Sequence, residues 1–189
     1  MAFAELEIDA SQIAGLAKTF ELAKARAPKA ISRAIARTGA MTKTQVVRSL
    51  TAQTGLKRQV IVRAVKAKPG LMSYALLSRG GDVSLKYFGA RETRRGVSAA
   101  PWNHRQVFAG TFIKGGRFPK RVPLPFGGQV MARAGSSRLP IAKRKSGLFI
   151  PKEMISGATA AAFLRTVNTV LPVRLQHELQ AILGGHAPT

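Results

Sequence analysis

Apolar residues recur at helical spacing in two long stretches of this 189-residue chain, and between them they alternate in short runs. In the first stretch Ile13, Leu16, Phe20 and Ala23 recur at steps of three to four, behind Ser11, which suits a helix N-cap. Pro28 then either opens a second helix in its first turn or kinks one long helix. Beyond it Ile31, Ile35, Thr38, Thr42, Val46 and Leu50 fall on one face, and Gly55 is placed to end the helix. Residues 56–66 keep helical spacing yet carry β-branched Val60, Ile61, Val62 and Val65, which predicts a short helix running into an extended piece. The last helical stretch covers 151–183. Its apolar side is Phe163, Val167, Val170, Leu171, Leu175, Leu179 and Ile182, with Pro172 as a break or kink and Gly184 and Gly185 as the stop.

A period of two governs the rest. Phe3, Leu6 and Ile8 alternate imperfectly with Glu5, Glu7 and Asp9. This short strand reads either as a solvated edge or as a clip that pairs with a basic surface, such as one on a neighbouring subunit. Pro69 and Gly70 mark a turn. Residues 71–78 and 83–88 predict a hairpin closed by Gly80, Gly81 and Asp82. Tyr87 and Phe88 end that run, Gly89 frees the backbone, and Arg91, Glu92, Arg94 and Arg95 follow. Gly96 turns the chain, Pro101 and Trp102 pin a corner, and residues 105–112 extend again. The centre therefore predicts two strands joined by a long, basic, aromatic-tipped loop, the kind of segment that carries function on a small domain.

Residues 113–128 hold four Gly and three Pro, which predicts irregular structure. Their Phe118, Val122, Leu124 and Phe126 either pack within a self-contained loop or present a patch to a partner. Short strands at 129–133 and 139–142 flank a turn, and Lys143, Arg144 and Lys145 form a basic tip. The order of helices, then strands, then helix predicts an α+β fold. One domain spans 1–189: an arm at 1–10, a helical segment at 11–68, a β-rich segment at 69–150 and a C-terminal helix at 151–183. The β-rich part is an antiparallel sheet or small barrel with long basic loops.

Charge changes this picture more than any motif. Thirty-one Lys and Arg stand against eight Asp and Glu, a formal net charge of +23. Such a chain repels itself unless an anion is near, which implicates nucleic acid, an anionic membrane or an acidic protein surface. Arg26, Lys29, Arg33 and Arg37 share one helix face, where like charges at four-residue spacing repel. This stripe is either solvated or meets an anionic partner, and no acid in the helix offsets its repulsion. The apolar fraction is 46%, much of it alanine, which predicts a thin core. Cysteine is absent, excluding disulfides and thiolate metal sites. No apolar run reaches the length of a membrane span, and the acidic start does not read as a secretory leader.

Candidate chemistry is sparse. Residues 110–115 have the glycine spacing of a phosphate loop, but Gly116 and Arg117 stand where Lys and Ser/Thr are required. Residues 96–100 only loosely resemble a nucleophile elbow around Ser98, with no strand-to-helix context. His104, His177 and His186 are scattered, and no paired-carboxylate spacing occurs. We therefore expect no catalytic residues, cofactor or metal. Arginines interleaved with Tyr87, Phe88 and Trp102 suit phosphate contact and base stacking, which makes sequence-independent nucleic-acid binding one reading of the chain.

At FGARETRRGVSAAPW (residues 88–102) the chain resembles the prophage minor tail protein Z family, the tail-completion proteins of long-tailed phages. AISRAIARTGAMTKTQVVRSLTAQTGL (30–56), SRLPI (137–141) and the helix around 175–183 add to the resemblance, which spans residues 28–183. It implies a structural virion protein at the head-proximal end of the tail, located in the tail or neck after assembly in the host cytoplasm. It implies a homo-oligomeric ring, six subunits by tail symmetry, touching tail terminator, tail tube and neck or head-completion proteins, with DNA in the lumen and no membrane. The family carries no catalytic residues to transfer. Candidate contact residues are Arg91, Arg94, Arg95, Trp102, Arg105, Phe118, Leu124 and Phe126.

Overall fold

The computed structural model describes residues 1–9, 27–117 and 119–183, so the predicted helix at 11–23, Arg26, Phe118 and the stop at 184–185 lie outside the described residues. Four helices are described: α1 (Ala27–Thr54), α2 (Arg58–Ala64), α3 (Ile150–Met154) and α4 (Gly157–Leu183). The α1 face expected from its spacing is the buried one, with Ile35, Thr38, Thr42, Val46 and Leu50 all sealed. Phe163, Val167, Leu171, Leu175 and Leu179 do the same for α4. The two long helices pack antiparallel. Arg33 and Arg37 near the start of α1 bind Glu178 near the end of α4, at 2.9 and 3.0 Å. Gln53 near the end of α1 accepts the Thr159 backbone N–H at the start of α4, at 3.1 Å. The helix runs through Pro172 without a break: its ring is exposed, so the missing N–H falls on the solvent side.

A three-stranded sheet covers the other side of α1, in the order β1 (Ala2–Asp9), β3 (Ser73–Gly80), β2 (Val65–Pro69), all pairs antiparallel. Its inner face is Ala4, Leu6 and Ile8 beside Tyr74, Leu76 and Ser78, backed by Val65. Strict alternation puts Phe3 on the outer face with Glu5 and Glu7, where Arg79 stacks 5.0 Å over its ring. The hairpin partner of β3 is therefore β2, through the turn at Pro69 and Gly70, and not residues 83–88. Leu85 and Phe88 are both buried and spaced by three, so Leu85–Phe88 forms a 3-10 turn that points both inward.

The expected central loop is largely strand. β4 (Arg91–Thr93), β5 (Gly96–Ala99) and β6 (Gln106–Ala109) form an antiparallel meander. After a bend at Gly110 come β7 (Thr111–Phe112), β8 (Lys114–Gly115), β9 (Val122–Pro123), β10 (Met131–Arg133) and β11 (Ile141–Lys143). β8 pairs with β9 inside the region expected to lack regular structure, and β10 sits between β7 and β11. These sheets are open; the described strands close no barrel. One hydrophobic core runs from α1, α4 and the first sheet into the meander through Leu85, Phe88, Val97, Ala99, Val130 and Leu148.

Helix and sheet approach closely at Gly39. A Cβ there would lie 2.2 Å from the Tyr74 ring, so the ring seats directly on bare α1 backbone. Burial pushes the Tyr74 hydroxyl above its ordinary pKa. Gly39→Ala should cost about 1–3 kcal/mol of stability, as overpacking does. The same change on a solvent-facing helix turn would stabilise by about 1 kcal/mol. Thermal unfolding followed by circular dichroism reads the sign, and a raised Tm for Gly39→Ala would refute the Tyr74 seat.

Candidate functional site

The segment that carries most of the sequence signals, residues 88–116, is held rigidly. Gly96 opens β5 so close to β6 that a Cβ would sit 2.2 Å from the Phe108 carbonyl oxygen. The Thr111 hydroxyl accepts the Val97 N–H at 3.1 Å and donates to the Phe108 carbonyl at 2.6 Å, tying β7 to the meander. At the far corner Trp102 and Asn103 both adopt left-handed backbone, with φ of 51° and 60°. For a bulky residue this costs about 1–3 kcal/mol and persists only where the surroundings impose it. Here they do. The Trp102 indole N–H donates to Glu153 Oε1 at 3.0 Å, and Gln53 Nε2 donates to Glu153 Oε2 at 2.7 Å. Asn103 Nδ2 donates to the Ala52 carbonyl at 2.6 Å. The corner is thus fastened to the ends of α1 and α3.

The limb after β7 is fastened by Glu92. Its Oε1 accepts the Ile113 and Lys114 N–H groups at 3.0 and 3.2 Å and Arg121 Nη1 at 2.6 Å. Burial pushes this carboxyl upward, but the two backbone donors and the Arg121 guanidinium outweigh it and hold it below the usual carboxylate range. Ile113, Lys114 and Arg121 are therefore drawn back onto the body. Leu124 also turns inward, its side chain lying over Gly115.

Between the β4–β5 turn and this limb opens a cleft of about 260 Å³. Five cations line it: Arg94 and Arg95 from the turn, Lys114 from β8, Arg121 from the returning limb and Arg133 from β10. No carboxylate lines it, and Glu92 touches its lining through the Arg121 guanidinium and the Lys114 N–H. Gly110, Gly115 and Gly116 leave its floor as bare backbone. The stretch rejected as a phosphate loop thus does border a basic cavity, though it joins strand to strand and leads no helix.

Among the described candidate contact residues, the structure brings only Arg94 and Arg95 together here. Arg91 is exposed on β4, outside the cleft. Arg105 donates to the Ser98 hydroxyl at 3.3 Å and the Gly89 carbonyl at 3.4 Å. Ser98 itself lies within β5, away from any strand-to-helix elbow. Trp102 is half-exposed but committed to Glu153, and Phe126 is 38% exposed. Phe88, offered for stacking, is buried; Tyr87 is exposed with Lys86 over its ring. On the α1 stripe Lys29 is exposed, whereas Arg33 and Arg37 already hold an anion, Glu178.

Sequence reasoning missed Arg133 and the clamping roles of Glu92, Glu153 and Glu178. Only the rarity of acids marked those three. Among the described residues, no group of three or more His, Asp or Glu could hold a metal ion, and no helix is long and apolar enough to cross a membrane. No family model, curated protein or solved structure matches the chain.

Because Glu92 is more acidic folded than unfolded, its stabilisation is complete above about pH 4.3 and is lost as pH falls through the lower folded value. Glu92→Gln should therefore cost about 1–3 kcal/mol at pH 7, and the difference from wild type should shrink as pH falls through the lowered folded value and wild type itself takes up the proton. Melting curves across that range check this; a Tm difference independent of pH would remove the clamp.

Proposed function

We propose that this chain is a non-catalytic structural protein of a long-tailed phage that completes the head-proximal end of the tail by assembling head to tail into a ring. The phage assignment rests on the residues that resemble the minor tail protein Z family. The assembly mode rests on one observation, the charge register of the first sheet.

On its outer face Glu5, Leu77 and Lys66 lie in one row across the three strands, and Glu7, Ala75 and Lys68 lie in the next. Both glutamates and both lysines are exposed. One edge strand, β1, is thus acidic and the other, β2, is basic. Two β1 edges repel each other, and so do two β2 edges; Lys and Pro69 on an edge also discourage casual pairing. An acidic edge against a basic edge suits this pattern, and such an unlike contact generates a ring where the rotation closes. Because β1 and β2 both run antiparallel to β3, they are parallel to each other, and a ring would keep that relation between copies. Cross-strand charge pairs contribute about 0.2–1 kcal/mol each, so they select the register while main-chain bonds and buried area supply most of the affinity.

Glu5→Lys with Glu7→Lys should leave the purified protein monomeric by light scattering under conditions where wild type forms a closed oligomer. Adding Lys66→Glu and Lys68→Glu should restore the oligomer. In a phage genome carrying this chain, the first pair of changes should leave heads and tails unjoined by electron microscopy. Normal virions from that variant would sink the assignment.

A further inference from the structure

We infer that the cleft between the β4–β5 turn and the Glu92-clamped limb is a binding site for phosphate groups. This goes beyond the proposed ring, does not depend on it, and uses a different face of the chain.

Four observations converge. First, Arg94, Arg95, Lys114, Arg121 and Arg133 come from four separate segments and surround one cavity. Among the described residues only Arg121 of these pairs with a carboxylate, so four positive charges face one concavity without a counter-charge. Folding has gathered charges that repel one another, and an anion in their midst relieves the repulsion. Second, the framework is set before any ligand arrives. Gly96 and the Thr111 hydroxyl fix the back wall, and Glu92 fixes Arg121 and the limb bearing Lys114. A fixed framework presents these cations from set backbone positions, so binding need not also order the loops that carry them. Third, the floor is glycine backbone, so a ligand oxygen can approach the main chain. Fourth, about 260 Å³ is smaller than the roughly 300–1,000 Å³ of sites that enclose a drug-sized ligand. The volume fits a compact anionic group. Besides Arg121, which Glu92 engages, three arginines that can each fork two bonds to one group favour phosphate over a single carboxylate. The phosphate is either free or carried on a nucleic-acid backbone.

The experiment titrates the intact protein, at low and at physiological salt, with inorganic pyrophosphate and separately with a short single-stranded oligonucleotide. Binding is read by calorimetry and by amide shifts in two-dimensional NMR. We expect the amides of Gly96, Gly110, Gly115 and Gly116 to move with either probe, and pyrophosphate to displace the oligonucleotide. Arg94→Ala with Arg133→Ala should weaken both probes by about tenfold or more, and Arg94→Lys with Arg133→Lys by less. Arg58→Ala with Arg63→Ala, the same charge change on α2 outside the cleft, should leave the affinity within about twofold. Circular dichroism melts of each variant separate misfolding from lost contacts. Oligonucleotide binding far tighter than pyrophosphate assigns the site to nucleic-acid backbone; equal affinity assigns it to free phosphate. Shifts scattered over the surface, or equal losses from the two Arg-to-Ala pairs, mean bulk charge alone and overturn the site.

Discussion

Eight carboxylates stand against 31 lysines and arginines in this chain, and the placement of those few acids decides its architecture. Outside β1 the described acids are Asp82, Glu92, Glu153 and Glu178, and every one is an internal clamp. Glu178 is 4% exposed and joins the two long helices through Arg33 and Arg37. Glu153 fastens the Trp102 corner to the helix ends. Glu92 folds a glycine- and proline-rich limb back onto the meander. Asp82 Oδ1 accepts the Gly147 N–H at 2.8 Å and so anchors the basic tip at 143–145. Buried or half-buried carboxylates are costly unless fully bonded, and here each is bonded by donors from a distant part of the chain. A protein so rich in cations can spend no acid on a solvated ion pair of small worth.

Part of what remains unneutralised is segregated. The acids of β1 lie on one sheet edge, the lysines of β2 on the opposite edge, and a separate cluster of cations rings the cleft. Internal clamping and external charge are therefore complementary results of one imbalance. The clamps make the loops rigid enough to hold like charges together, and those held charges are what an anionic partner or ligand meets. Arg33 and Arg37 show the inward side of this. The repulsion along their helix face is offset within the molecule, by a glutamate 145 and 141 residues further along the chain.

Packing adds a second constraint, close approach onto bare glycine backbone. Tyr74 rests on Gly39, and the Phe108 carbonyl rests on Gly96. The first joins sheet to helix; the second turns the meander toward β7. Neither glycine could be recognised by pattern, because the need for it comes from an atom supplied by another strand. The same holds for Thr111, whose hydroxyl serves two strands at once.

Periodicity alone was enough for both long helices and their buried faces, for the short helix passing into β2, for the N-terminal strand and for the α+β class. In each, burial follows from spacing along a single element. It failed where a short apolar run had two possible partners. Residues 83–88 alternate well enough for a strand, yet β2 had already paired with β3, and Leu85 and Phe88 bury better as one tight turn. The basic loop expected at 89–104 became a meander because β5, buried at all four positions, lies between β4 and β6, and no local signal announces a buried four-residue strand. The cleft was legible only as two of its five cations, since spacing along the chain cannot bring Lys114, Arg121 and Arg133 to Arg94 and Arg95. Secondary structure here is set by short-range spacing that a sequence displays directly; which charges meet is set by the folded path, and that path runs through clamps whose two ends lie far apart in sequence.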